Sequence, residues 1–94
     1  MDKFLYQVEL RDENNKSFKL NNNLDFYYLY TKDKSLIERT CKRLSEDFKS
    51  ICKEGTDISI NVMVYNKISE TWQFWYAYYA SSNKFSDKTS SFNN

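Results

Sequence analysis

A chain of 94 residues has room for one domain with one modest core. Its net charge of +1, from 14 basic and 13 acidic residues, excludes both the basic excess of a typical duplex-DNA binder and the acidic surface of a DNA mimic. Hydrophobic residues at 40% and aromatics at 18% supply enough apolar area for a fold, so disorder throughout is excluded as well.

No apolar run approaches the roughly 18 residues needed to cross a bilayer, and Met1-Asp2-Lys3-Phe4 lacks the basic start and apolar stretch of a signal peptide. A cytoplasmic protein without membrane contact is therefore expected. Lysine exceeds arginine, asparagine is abundant and proline is absent, the pattern of an AT-rich coding sequence. It points to a low-GC bacterium or its phage.

Residues 3 to 10 alternate, with Phe4, Tyr6, Val8 and Leu10 on one side and Lys3, Gln7 and Glu9 opposite, the period of a half-buried strand. Leu5 breaks the alternation. Asp12-Glu13-Asn14-Asn15 supplies turn chemistry, and Ser17 to Leu20 can return as a short second strand. Leu24 to Thr31 alternates again, grouping Leu24, Phe26, Tyr28 and Tyr30, and predicts a third strand.

Ser35-Leu36-Ile37-Glu38 has the spacing of a capping box and predicts a helix from about Leu36 to Glu54. Ile37, Cys41, Leu44, Phe48 and Ile51 form one apolar stripe along it. On its outer face, Lys42 with Glu46 and Arg43 with Asp47 have ion-pair spacing. Ile58, Ile60, Val62 and Val64 then predict a strand with a β-branched core side, and Lys67 to Glu70 a loop. Thr71 to Ala80 predicts its antiparallel partner, with Trp72, Phe74, Tyr76 and Tyr78 on one side and Gln73, Trp75, Ala77 and Tyr79 on the other. From Ser81 to Asn94 the chain is polar and aperiodic, and a flexible tail is expected. The expected architecture is a single α+β domain over residues 1–80. It is an antiparallel sheet of four to five strands in the order β-β-(β)-α-β-β, with one helix across one face.

The sequence withholds most catalytic machinery. It has no histidine, which removes the commonest general base and the commonest zinc ligand, and its single glycine, Gly55, rules out glycine-rich phosphate loops. Cys41 and Cys52 lie 11 positions apart on one helix face, roughly 16 Å along the axis, too far for a disulfide, and read as small buried hydrophobes. The carboxylate pairs Asp12-Glu13 and Glu46-Asp47 are adjacent in sequence and do not converge. No catalytic residue, metal ligand or cofactor is expected.

One helix about 10 Å wide cannot cover both sides of a sheet built at about 4.8 Å per strand. Alternation assigns Leu5, Tyr27, Leu29, Met63, Tyr65, Trp75 and Tyr79, interleaved with Gln7, Asn61 and Gln73, to the uncovered side. Tyrosine and tryptophan among amides is the composition of a binding surface. Of these, Tyr27, Tyr65, Trp75, Tyr79, Met63, Gln73 and Asn61 are the expected partner contacts. The competing structural reading is that the rings cover one another, or pack beneath the tail through Phe85 and Phe92.

The leading expectation is a non-enzymatic protein-binding module: a phage or mobile-element inhibitor of a host defence protein or complex, such as an anti-CRISPR-type protein. A homodimer is another use of the same face. The second expectation is a single-stranded nucleic-acid binder whose sheet aromatics stack bases. Its variant places the contact on the helix cations Arg39, Lys42, Arg43 and Lys49, within the one segment where basic residues exceed acidic ones. An enzyme working from Cys, Tyr, Lys or carboxylates alone comes third.

Overall fold

A computed structural model describes residues 2–19, 26–31 and 34–89. The strands are β1 (Asp2–Arg11), β2 (Ser17–Phe18), β3 (Phe26–Thr31), β4 (Asp57–Asn66), β5 (Thr71–Tyr79) and β6 (Lys84–Phe85), with one helix, α1 (Lys34–Ile51), between β3 and β4. All pairings are antiparallel. β1 is central: β4 runs along one of its edges from Phe4 to Arg11, while β3 and β2 share the other, opposite Asp2–Gln7 and Leu10–Arg11 respectively. β5 and β6 follow beyond β4. The expected α+β fold, one antiparallel sheet with one helix, is what forms.

β3 and β4 are both antiparallel to β1, hence parallel to each other, and a connection between them must cross a face of the sheet. α1 makes that crossing. Its buried residues Ile37, Cys41, Leu44 and Phe48 meet Phe4, Tyr6, Val8 and Leu10 of β1 and Ile58, Ile60, Val62 and Val64 of β4 in one core. Ser45 is buried within the same helix and donates to the Lys42 carbonyl at 2.8 Å, so its hydroxyl costs little there.

The turn after β1 uses the chemistry its sequence supplies. Asp12 Oδ1 accepts from the amides of Asn14 and Lys16, both at 2.9 Å, and Asn15 takes the left-handed conformation at φ 62°. After α1, Gly55 at φ 89° lets the chain reverse into β4.

The helix differs from expectation at both ends. It already includes Lys34 and Ser35, so Ser35 does not stand outside it as a cap, and the cap position lies outside the described residues. It ends at Ile51, whose side chain is exposed rather than in the stripe; Cys52, half-buried, packs on the core in its place. Neither Lys42–Glu46 nor Arg43–Asp47 closes to an ion pair. Lys42 instead sets its ammonium 5.8 Å from the centre of the Phe85 ring.

The segment from Ser81 to Thr89, expected as free tail, follows the outer edge of β5. β6 pairs Phe85 with Tyr78 and Lys84 with Tyr79. Beyond it the Ser86 amide donates to Ala77 O at 2.8 Å, the Ala77 amide donates to Ser86 Oγ at 2.8 Å, and the Thr89 amide donates to Trp75 O at 2.8 Å. Phe85 closes the core edge against Tyr76 and Tyr78. Residues 90–94 of the expected tail, Phe92 among them, lie outside the described residues.

Phe48→Ala is expected to cost about 3–5 kcal/mol, since it empties the space between α1 and the sheet. Glu46→Ala, on the exposed face, should cost under about 0.5 kcal/mol. Urea unfolding of the two variants checks both values.

Candidate functional site

The sheet face opposite α1 has no described element across it, and the strand registers decide what it displays. β1 contributes Lys3, Leu5, Gln7, Glu9 and Arg11, and β4 contributes Ser59, Asn61, Met63 and Tyr65, as their mutual register requires.

β5 departs from simple alternation. Val62 pairs with Tyr76 but Met63 pairs with Phe74, so Trp75 is an inserted residue, a β-bulge. Trp75 turns into the core, where it is 2% exposed and stacks on Phe4 with ring centres 5.8 Å apart and planes 22° from parallel. Beyond the bulge every residue has changed sides: Trp72 pairs with Tyr65 and Phe74 with Met63 on the open face, and Gln73 pairs with Val64 on the helix side. The assignment of Trp75 and Gln73 to the open face is therefore corrected, and Trp72 and Phe74 stand there instead. Met63, Tyr65, Asn61 and Tyr79 are where alternation placed them.

β3 is corrected in the same sense. Its register sets Tyr27 opposite Tyr6 and Leu29 opposite Phe4, in line with the helix-side row. Phe26, Tyr28 and Tyr30 stand opposite Gln7, Leu5 and Lys3. Leu5, only 5% exposed, thus sits in register between Tyr28 and Met63.

The open face has two unlike ends. At one, Asn61 Nδ2 donates to Gln7 Oε1 at 3.3 Å and to Glu9 Oε1 at 3.5 Å, and Arg11 pairs with Glu9 at 3.3 Å. These polar groups are occupied with one another. At the other, Tyr65 and Trp72 meet edge to face with ring centres 5.3 Å apart, and the Lys3 ammonium lies 4.8 Å from the first ring centre and 5.7 Å from the second. Phe74 is 40% exposed beside them, and Ile68, at the tip of the β4–β5 turn, is 97% exposed. That turn is held in shape by Asn66 Oδ1, which accepts from the Ile68 amide at 2.9 Å and the Ser69 amide at 3.1 Å.

The groups that could do chemistry are elsewhere, and buried. Cys41 is fully enclosed under α1; burial, reinforced by the nearby Glu38 carboxylate, pushes its thiol up to about 12. Burial likewise raises the phenols of Tyr6 and Tyr76, with the neighbouring Cys41 acting in the same direction. The Tyr6 hydroxyl is buried without a hydrogen bond of good geometry, and the hydroxyl of adjacent Thr40 donates to the Leu36 carbonyl, 2.7 Å away. Groups held this firmly in their neutral forms are poor nucleophiles and bases.

A groove of about 440 Å³ at the end of α1 is lined by Lys49, Cys52, Lys53, Glu54, Ile58 and Ala80 among others. Among the described residues no three metal-ligating side chains gather, and no helix is long and apolar enough to cross a membrane. The helix cations Arg39, Lys42, Arg43 and Lys49 are all exposed, and Lys42 lies against Phe85 of β6.

No family model, curated protein or solved structure matches this chain.

The buried thiol and phenols set a pH dependence. Their folded pKa values lie above the ordinary 9.0 and 10.0, so on raising the pH the unfolded chain loses its protons first. Stability should be undiminished below about pH 8 and fall as the pH climbs through 9 and 10. Tyr6→Phe, which deletes an unsatisfied hydroxyl, should be neutral or up to about 1 kcal/mol stabilising at pH 7 and should soften the alkaline fall. Thermal melts between pH 7 and 11 measure both.

Proposed function

We propose that the protein is a non-enzymatic binding module that engages a partner protein through the aromatic end of its open sheet face. The observation that carries this reading is the Tyr65–Trp72 pair under the Lys3 ammonium, beside half-exposed Phe74, on a face that α1 leaves uncovered. Large rigid rings that lose little entropy on contact, a cation already desolvated on one side by them, and an exposed apolar tip at Ile68 are the materials of an interface centre. The self-satisfied ladder of Gln7, Asn61, Glu9 and Arg11 forms its polar margin. This reading moves the contact from Trp75 and Gln73 to Trp72 and Phe74 and retains Tyr65 and Met63.

The burial of the Cys41 thiol and of the Tyr6 and Tyr76 phenols supports a non-catalytic role, because desolvation opposes the ionised forms in which these groups would act. The narrower proposal, an inhibitor carried by a phage or mobile element against a host defence protein, draws its support from chain length and base composition alone.

The test is affinity capture from a low-GC bacterial lysate with the wild-type chain, the double variant Trp72→Ala/Phe74→Ala and the control Glu46→Ala. A partner retained by wild type and control, and weakened at least tenfold by the double variant, is the expected result. Fluorescence titration with mixed-sequence oligonucleotides runs alongside. Salt-dependent quenching lost in the same double variant would transfer the face to single-stranded nucleic acid. Trp75→Ala should instead cost about 3–5 kcal/mol of stability, against about 1 kcal/mol for Trp72→Ala, which denaturant unfolding measures directly.

A further inference from the structure

The sequence of β5 suits two registers on β4. In the observed one the bulge turns Trp75, Tyr76 and Tyr78 inward and leaves Trp72 and Phe74 on the open face. Without the bulge, simple alternation would turn Trp72 and Phe74 inward beside Tyr76 and Tyr78 and send Trp75 out. Both arrangements bury large rings, and the observed one carries a cost, since it sets Gln73 opposite Val64 on the helix side and interrupts the ladder. Ring burial alone does not decide between them.

The strap of Ser81 to Thr89 along the outer edge of β5 makes the difference. Successive carbonyls of a regular strand point to opposite edges, whereas Phe74 O and Trp75 O both point to the strap and both accept from one residue. The Thr89 amide donates to Trp75 O at 2.8 Å and Thr89 Oγ1 donates to Phe74 O at 2.9 Å. That pair of donors matches a backbone with two consecutive carbonyls on one side, which the bulge supplies and simple alternation lacks. Next to it, the Lys88 ammonium lies 5.2 Å from the centre of the Trp75 ring and 5.4 Å from that of Tyr76, two rings that the bulge places side by side with centres 4.8 Å apart.

The strap is anchored independently of these contacts. Ser86 exchanges hydrogen bonds with Ala77, and Ala77 belongs to the stretch of β5 whose pairing with β4 both registers share. Lys88 and Thr89 therefore meet the part of β5 that differs between the registers, while Ser86 holds the part that does not.

We propose that Thr89, assisted by Lys88, is a conformational lock that holds β5 in its bulged register, and that its release withdraws Trp72 and Phe74 from the open face and expels Trp75. As a control on partner binding this rests on the function proposed above. The lock itself does not, and the experiment reads the two indoles with no partner present, so either idea can fail alone.

Fluorine NMR of the full chain carrying 5-fluorotryptophan tests it. The Trp72 and Trp75 resonances are assigned with Trp72→Phe and Trp75→Phe, the shift of each between light and heavy water reports its exposure, and circular dichroism confirms the fold. Thr89→Pro removes both donors, Thr89→Val only the hydroxyl, and Thr89→Ser neither. A net hydrogen bond is worth roughly fivefold in an equilibrium, so the ratio of registers should move roughly fivefold in Thr89→Val and roughly twenty-five-fold in Thr89→Pro. The expected signature is reciprocal: Trp75 gains exposure and Trp72 loses it, in both variants, while Thr89→Ser matches wild type. Thr89→Val retains the backbone bonds of the strap and keeps the test decisive where Thr89→Pro loosens it. Trp75 gaining exposure with Trp72 unchanged means that the strap only covers the ring, and overturns the proposal. Indoles that respond to none of the variants overturn it too, as does a change in Thr89→Ser as large as that in Thr89→Val.

Discussion

The fold depends on β1 being paired along both edges. A strand with neighbours on each side cannot slip by one residue without breaking two ladders and exchanging its faces, so the row Phe4, Tyr6, Val8 and Leu10 is committed to one side of the sheet. Once that row is apolar, the helix joining β3 to β4 has one productive place to lie. α1 buries Ile37, Cys41, Leu44 and Phe48 against it. The same geometry leaves the opposite face open, because a chain of this length supplies no second crossing element among the described residues. The uncovered aromatic surface is thus a consequence of topology before it is a feature of any function.

The bulge at Trp75 then determines how the aromatic residues are shared between the two faces. Without it, alternation would send Trp72 and Phe74 inward beside Tyr76 and Tyr78, and Trp75 outward. With it, Trp75, Tyr76 and Tyr78 all turn inward, and Trp75 stacks beside Phe4 in the core. The insertion forfeits a regular ladder step but places one more large ring in the core. Trp72 and Phe74 are released to the open face as a result. The candidate site is therefore made by the same local irregularity that completes the core.

Wherever one physical signal decided the structure, the sequence made it legible. The alternation of β1 and β4 and the stripe of α1 are each enforced by a single buried surface, and the turn at Asp12–Asn15 by local hydrogen bonding, so all four were legible except at the end of the helix, where Ile51 is exposed. Pattern alone could not settle parity. The period of β3 groups Phe26, Tyr28 and Tyr30 but is silent on which face they join, and the register with β1 sets them opposite Lys3, Leu5 and Gln7. The bulge was equally hidden, since Trp72 to Tyr79 is so rich in aromatics that either face looks apolar under any register. One clue was available: Trp75-Tyr76-Ala77-Tyr78 is a continuous apolar run, and its burial throughout is incompatible with strict alternation. β6 is short and aperiodic, and its place is fixed by backbone bonds to Ala77 and Trp75 and by Phe85, which no periodicity announces.

Burial and exposure also divide the chain's chemistry. Tyr6, Tyr76 and Cys41 are in the core, where desolvation keeps them protonated. Among the groups left at the surface of the open face, the polar ones at the Asn61 end satisfy each other, so a partner would have to break existing hydrogen bonds to use them. The rings at the Trp72 end instead offer apolar area, with Phe74 40% exposed. Covering them displaces water from apolar area and strengthens the attraction between Lys3 and its two rings as the local dielectric falls. Recognition, which gains from desolvation, is accordingly favoured at that end of the face, while chemistry that needs an ionised side chain is opposed by burial in the core.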